Sequence, residues 1–421
     1  MRAVMASALD RYWPQRADAV FALPVPSIAS TAAGQMLPPP MTLVRLPEWA
    51  DDLAADGGLL VPSCFTAAGG WQHVDWWSAA HWYLHGTAER AHELRHGPIH
   101  SYSLRLRGWD SRIWDRAWVN RIALLLRRWA ARQAGQPESA LFGPLPSPEI
   151  VITHDIDAVA KTWPIRLKQS AFHCFNALRC VLRGQLSMAV DRIMKAARML
   201  LVPGHDWQVE TTIALERKAG VRSQLNLFAG KRTPTLPRQW LLDPSYDVSN
   251  PALACYFRSL AAEGWQLGLH QSFDAWQEAS CMRAERERLE TACGTPVRSC
   301  RQHWLRFSWQ HTWTAQHAAG FTLDTTLGFN DRPGFRNGAA LKFAPLGDEA
   351  EYAALPLVLM DSHLYDYAVL DDSTRERAVY HWINEVRQVS GQCTVLWHPH
   401  TLSRDYGWTE GFRTLLAAIT R

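Results

Sequence analysis

The sequence predicts an α/β protein, with seven βα units around a parallel sheet and a smaller α+β region before them. Three observations carry this. Seven short apolar segments of strand length follow residue 148. Segments with helical spacing lie between them, the pattern of strand–helix units on a parallel sheet. The run Gly143-Pro-Leu-Pro-Ser-Pro148 breaks the chain just ahead of the first strand, and a domain boundary belongs there. The expected division is an accessory, Trp-rich region over residues 1–147 and a βα region over residues 148–421.

Taken in order, Pro24, Pro26 and Pro38-Pro-Pro40 punctuate the opening residues into short pieces, consistent with small strands and loops. Val74 to Arg95 is Trp-rich and helical in period. Asp115 to Ala134 is a firmer helix, with Trp118, Ile122, Leu125, Leu126 and Trp129 on one stripe. The strand candidates are Ile150–His154, Ser223–Phe228, Gln266–His270, Val297–Arg301, Phe321–Thr325, Leu355–Asp361 and Cys393–His398. Helices are expected at Trp207–Ala219, Asn250–Glu263, Met282–Ala292, Trp309–Ala319 and Thr374–Val389.

The first strand ends in Thr153-His-Asp-Ile-Asp157. Side chains alternate along a strand, so Asp155 and Asp157 share one face and His154 takes the other. Two carboxylates so placed repel, and a cation or a shared proton settles such a pair; the plainer alternative is a turn whose Asp residues cap a helix. The other strand ends are also polar: His270; Arg301, His303 and Arg306; Asp324; Asp361 and His363; His398 and His400. Chemistry in parallel sheets collects at these carboxyl ends.

Between Ala158 and His205 lies an insertion, over about residues 158–205. Lys161 to Arg198 holds eight Lys/Arg and a single acid, Asp191, and Val190, Ile193, Met194, Ala197 and Leu201 keep helical spacing. It reads as a basic amphipathic excursion beside the first strand end. Either it is a surface helix docked on the sheet, or it is a lid or a patch for an anionic or membrane-held substrate.

Composition bounds the rest. Lys and Arg number 44 against 40 Asp and Glu, a net charge of +4, too balanced for nucleic acid to be the main partner. The 21 Trp are many; they serve packing, or sugar stacking if they line a cleft. The eight Cys show no C-x-x-C and no disulfide-like spacing, as expected of thiols in a reducing compartment. The N-terminal residues lack the apolar run of a signal peptide, and no run approaches a membrane span, so the cytoplasm is the expected location.

At this point the chain resembles the polysaccharide deacetylase superfamily, carbohydrate esterase family 4 and its relatives. The resemblance runs from Glu149 to about Trp408, roughly 60% of the chain. Thr153-His-Asp-Ile-Asp157 stands at the first motif, Gly268-Leu-His-Gln-Ser-Phe-Asp274 at the second, and Arg301-Gln-His-Trp-Leu-Arg-Phe307 at the third. Asp324-Thr-Thr-Leu-Gly-Phe-Asn-Asp-Arg-Pro-Gly-Phe-Arg336 resembles the fourth region and Leu396-Trp-His398 the fifth. The N-terminal region is similar to the extension of a divergent bacterial surface-polysaccharide subgroup.

The resemblance implies an irregular seven-stranded (β/α) barrel and a metal-dependent N-deacylase, a deacetylase or deformylase. Its substrate would be an amido sugar of surface polysaccharide assembly, such as O-antigen or capsule. It implies Asp155 as base, His398 as acid, and Arg301 orienting Asp155. Asp157, His270 and Asp274 would hold the metal; Asp274 alternatively caps a helix. His303, Arg306, Asp324, Asp331, Arg332, Arg336 and Asp361 would contact substrate. His303 could instead be a core histidine, and Asp331, Arg332 and Arg336 could pair among themselves. The family spacing is altered at two points: Ile156 separates the two Asp, and Asp274 stands where a second His is usual. His and carboxylate at i and i+4 still chelate, but the oxygen-rich set admits iron, manganese or cobalt beside zinc. The substrate would be an N-acylated sugar, free or linked to a nucleotide or a lipid phosphate, and peripheral contact with the inner membrane would follow. Two alternatives remain: a catalytically silent carbohydrate-binding protein on the same barrel, and a hydrolase of a non-sugar C–N bond.

Overall fold

A computed structural model describes residues 5, 7–29, 35–182, 184–202, 208–231, 239, 242–368 and 370–420. Its strands are β1 Met41–Val44, β2 Leu59–Pro62, β3 Glu149–Ile156, β4 Gln224–Phe228, β5 Gln266–Gln271, β6 Ser299–Gln302, β7 Leu323–Asp324, β8 Ala353–Ala354, β9 Leu357–Met360 and β10 Gln392–Leu396. All seven strands expected after residue 148 are present, and β8 makes an eighth. Two residues are too few to show any hydrophobic period, which is why the sequence hid it. The chain divides into two compact units.

The first unit is Met1–Val151, Trp276–Ser280 and Arg298–Val395. Here β1 and β2 pair antiparallel, Met41 opposite Pro62. β6, β7 and β8 run parallel in that order, and β9 neighbours β10. The helical stretch expected over Val74–Arg95 is two helices, Trp76–Leu84 and Thr87–His96. Gly86 breaks it with φ +59, and a Cβ there would run into the Trp309 ring. Only glycine meets both demands. Helix Trp118–Gln133 buries the expected apolar stripe, and Arg121 with it. That guanidinium donates to both oxygens of buried Glu385 at 2.9 and 2.7 Å, and to the Leu53 carbonyl at 2.8 Å. Most of the tryptophans serve packing: Trp13, Trp76, Trp77, Trp118 and Trp313 are almost fully buried.

The second unit is Ile152–Ala275, Cys281–Val297 and Leu396–Arg421. β3, β4 and β5 pair parallel, with Asp155 opposite Asn226 and Asn226 opposite Gly268. Helices Gln208–Ala219, Pro251–Ala262 and Ala279–Cys293 follow the expected spacing, Trp207 lying outside the described residues. Asn250 caps the second of these, accepting from the amides of Ala252 and Leu253, with Pro251 in the first turn. Helix Thr409–Thr420 was not expected, although Phe412, Leu415 and Leu416 bury an i, i+3, i+4 face. The insertion is a hairpin of helices Trp163–Leu182 and Leu186–Leu201; its last residues, 203–205, fall outside the described residues.

His154 turns away from the neighbouring aspartates. Wholly buried, it shares its ring nitrogens between the Trp397 carbonyl at 2.5 Å and Glu216 at 2.9 Å. Glu216 also accepts from Ser223 Oγ at 2.8 Å and Trp265 Nε1 at 2.7 Å. One carboxylate thus ties helix Gln208–Ala219 to β3.

The buried ion pair of the first unit gives a stability test. Glu385→Ala strands the Arg121 cation in the interior, so urea unfolding should show a loss of about 3–5 kcal/mol. Glu385→Ala combined with Arg121→Leu should recover much of that loss.

Candidate active site

The site grows from the parity of β3. Asp155 and Asn226 face the same way because they sit opposite each other in register. His270 follows two residues after Gly268, which is opposite Asn226, so it shares that face too. Asp155, almost fully buried, accepts from Asn226 Nδ2 at 2.8 Å, and its other oxygen lies 3.7 Å from His270 Nδ1. Asp157, just past the strand, places Oδ1 3.3 Å from His270 Nε2 and Oδ2 3.8 Å from His398 Nε2. His398 follows the end of β10, and its ring stacks at a tilt on His400, centroids 5.5 Å apart.

Four of the residues predicted for the site therefore converge in one unit: Asp155, Asp157, His270 and His398. Burial opposes the His270 cation, but Asp155 and Asp157 outweigh it, and the imidazole pKa is raised above its ordinary value. A donor set of imidazole and carboxylate suits a divalent cation. Two ligands each about 2.1 Å from one ion are about 3.0–3.4 Å apart in octahedral or tetrahedral geometry. The Asp157–His270 separation of 3.3 Å falls in that window. The residues present fit a metal. Asp274, the other predicted ligand, is exposed at the surface of the loop after β5.

That loop is held from two sides. Ser272 donates through both its amide and its hydroxyl to buried Glu285, and the Phe273 amide donates to Asp243 at 2.8 Å. Beside Asp157 opens a cleft lined by Lys161, Lys168, Asp243, His400, Asp405 and Tyr406 among others. Lys161 Nζ bridges Asp405 and the Val202 carbonyl, each at 2.7 Å.

The remaining predicted residues lie in the other unit. Arg301 is fully buried, donating to the Thr325 carbonyl at 3.0 Å and Thr394 Oγ1 at 3.2 Å. His303 is buried beside Trp304. Arg306 lies over the Trp276 ring, 5.4 Å from its centroid, and 3.3 Å from His100 Nε2. Burial, reinforced by Arg306, lowers the His100 pKa to about 4. Asp324 is fully buried and accepts from Trp313, Gln316 and Thr326; burial raises its pKa. Asp331 accepts from Ser103 and Leu104, Arg332 pairs with Asp115 at 2.5 Å, and Arg336 pairs with Glu89. So these three bind the segment before residue 148, and do not pair with one another. Asp361 is buried at the start of helix Asp361–Tyr365, accepting from the Ser362 amide at 2.7 Å.

Sequence reasoning missed Asn226, Glu285, His100 and Trp276. Asn226 alone carried a signal, an asparagine inside the apolar strand Gln-Leu-Asn-Leu-Phe228, where its type is depleted.

No protein-family model matches the chain, and no curated protein matches it. Solved structures to which it is similar include a protein of Mycobacterium smegmatis provisionally designated a polysaccharide deacetylase. That likeness has 19% identity and a TM-score of 0.38, covering 65% of this chain and 88% of that one. The polysaccharide deacetylase Bc1974 of Bacillus cereus is similar at 10% identity and a TM-score of 0.29, over 65% of this chain and 87% of that one. A CE4 family pseudoenzyme of Bacillus anthracis is similar at 10% identity and a TM-score of 0.27, over 64% of this chain and 60% of that one.

Glu285 makes the loop after β5 pH-sensitive. Burial, against the Ser272 hydrogen bonds, pushes its carboxyl up to about 7 from 4.5. The folded state therefore holds a proton that the unfolded chain has released between those values. Its contribution to stability is complete below pH 4.5 and is lost as pH rises to about 7. Glu285→Gln should flatten that slope in thermal unfolding followed across the window.

Proposed function

We propose that the chain is a metal-dependent N-deacylase of an amido sugar. The observation that carries this is the convergence of Asp155, Asp157, His270 and His398, with the Asp157 and His270 ligand atoms 3.3 Å apart. Asp157 and His270 would hold the cation, with Asp274 the third candidate and zinc the first choice among zinc, iron, manganese and cobalt. A divalent cation there would supply Lewis acidity, making water acidic at neutral pH and polarising an acyl oxygen.

The chain's own groups supply the proton traffic. Asp155 is the base: one oxygen is committed to Asn226 Nδ2, which fixes the carboxylate plane, and the other faces the site. His398 is the acid, its imidazolium handing a proton to the leaving amine, with Nε2 3.8 Å from Asp157 Oδ2. The basic insertion after β3, with eight Lys/Arg and one acid from Lys161 to Arg198, favours a phosphate-bearing substrate, a sugar linked to a nucleotide or a lipid phosphate. The resemblance to the surface-polysaccharide subgroup supports a reaction in cytoplasmic surface-polysaccharide assembly of the O-antigen or capsule kind.

Exposed Asp274, where a second imidazole is usual, favours one rival: a silent sugar-binding protein. Metal analysis separates the two. Near-stoichiometric metal that vanishes in His270→Ala supports the enzyme; metal-free protein that still binds glycans supports the binder.

Release of acetate or formate from N-acylated sugars tests the roles. Asp155→Asn should abolish turnover and keep the metal, whereas Asp157→Ala should lose both. His398→Ala should slow the reaction by roughly 10²–10⁴. No acyl release with any of the four metals, across free, nucleotide-linked and lipid-linked sugars, would end the proposal.

A further inference from the structure

The insertion hairpin is built inside out. Where its two helices and the loops beneath them meet, the buried side chains among the described residues are small or polar, namely Ser170, His173, Asn176, Ala177, Cys180, Ala189 and Ala196, with Met199 as the large apolar exception. Ser170 Oγ donates to the Ala196 carbonyl at 2.9 Å, across the seam. Most of the large apolar side chains point outward. Among the described residues, thirteen of the nineteen exposed large apolar side chains lie between Trp163 and Val202. They follow helical spacing: Leu167, Phe175, Leu178 and Leu182 on one helix, Leu186, Val190 and Ile193 on the other. Phe175 is 58% exposed and Leu182 78%. A helix pair that kept to itself in water would have the opposite pattern. Small residues at the seam and large apolar ones outside are the arrangement of helices whose surroundings are apolar.

A patch of this kind marks an interaction surface. Its charge says which. Lys161 to Arg198 carries eight Lys/Arg against one acid, Asp191. Asp191 is itself paired with Lys195 at 2.9 Å. Two cations sit against the apolar rings: Arg166 lies over Trp163 at 4.9 Å and Arg179 over Phe175 at 5.9 Å. Apolar side chains flanked by arginines are the composition of a helix lying in a membrane interface, with the aliphatic side sunk among acyl chains and the cations at the headgroups. No helix of the described residues is long and apolar enough to cross a membrane. The hairpin is also fastened to its unit: Lys161 and Arg198 both reach Asp405, and Lys168 donates to the Leu242 carbonyl at 3.0 Å.

We propose that the hairpin Trp163–Leu201 is an interfacial anchor that docks the protein on an anionic lipid bilayer. The surface is read by two features together, an outward apolar face and a positive charge that matches anionic headgroups. The same helices line the cleft beside Asp157 through Ile165, Lys168 and Met199. Docking therefore sets that cleft at the bilayer surface, within reach of a sugar held on a lipid phosphate. This last step alone rests on the deacylase reading.

The test uses the whole chain and needs no turnover, so its outcome is independent of whether the protein deacylates anything. Sedimentation is measured with vesicles of phosphatidylcholine alone and of phosphatidylcholine mixed with phosphatidylglycerol, at low and high salt. The expected result is binding to the phosphatidylglycerol vesicles that weakens with salt. Phe175→Glu with Ile193→Glu should lower it by at least about tenfold, since both changes put charge where apolar area would be buried. Both positions are exposed, and circular dichroism checks that the variant is folded. Should the variant fail to fold, the salt and lipid dependence of the unaltered chain still decides. Equal, salt-insensitive binding to both vesicle types would overturn the proposal, as would no binding to either. Concentration-dependent self-association without vesicle binding would also overturn it, assigning the face to a second copy of the chain.

Discussion

Everything in the second unit depends on the two-residue period of β3. One step along the strand separates His154, which holds the helix layer through Glu216, from Asp155, which faces Asn226 and His270. The same backbone thus anchors the scaffold on one side and presents the chemistry on the other. A slip of a single residue would place two carboxylates among the helices and an imidazole among the ligands. The polar cluster of His154, Glu216, Ser223 and Trp265 makes that slip costly, because each member would lose a buried partner.

Much of this was legible in the residues. The alternation of His154, Asp155 and Asp157 is a property of any strand, and it emerged as read. Strand positions came through because β-branched and apolar runs between turn residues leave few alternatives. The convergence of His270 and His398 on Asp157 followed from the rule that parallel strands deliver their carboxyl ends to one side. What the sequence could not carry was pairing at a distance. Arg336 meets Glu89 and Asp331 meets Ser103, both partners more than two hundred positions away. No local period encodes such contacts. Helix Val74–Arg95 split in two for a similar reason: Gly86 is tolerable in a helix pattern, and only the Trp309 ring, far along the chain, shows why it must bend there. Asp274 marks the limit of motif reading, since spacing alone says nothing of exposure.

The candidate site also shows how one carboxylate is made to differ from its neighbour. Asp155 is sealed and held by an amide, whereas Asp157 is about a third exposed and touches two imidazoles at longer range. Two aspartates of the same strand end thereby acquire different environments, the usual way a pair of like groups is given separate tasks.

The insertion has a consequence for how the chain assembles. β3 ends at Ile156 and its parallel partner β4 begins only at Gln224. Pairing across so long a connection is slow when the intervening chain is slack, because closure entropy comes due before the contacts that repay it. Here the interval contains two helices that fold back on each other through neighbouring residues. Once they form, the slack is a few short connections rather than the whole segment. The hairpin acts as a splint, shortening the path that the nascent sheet must close.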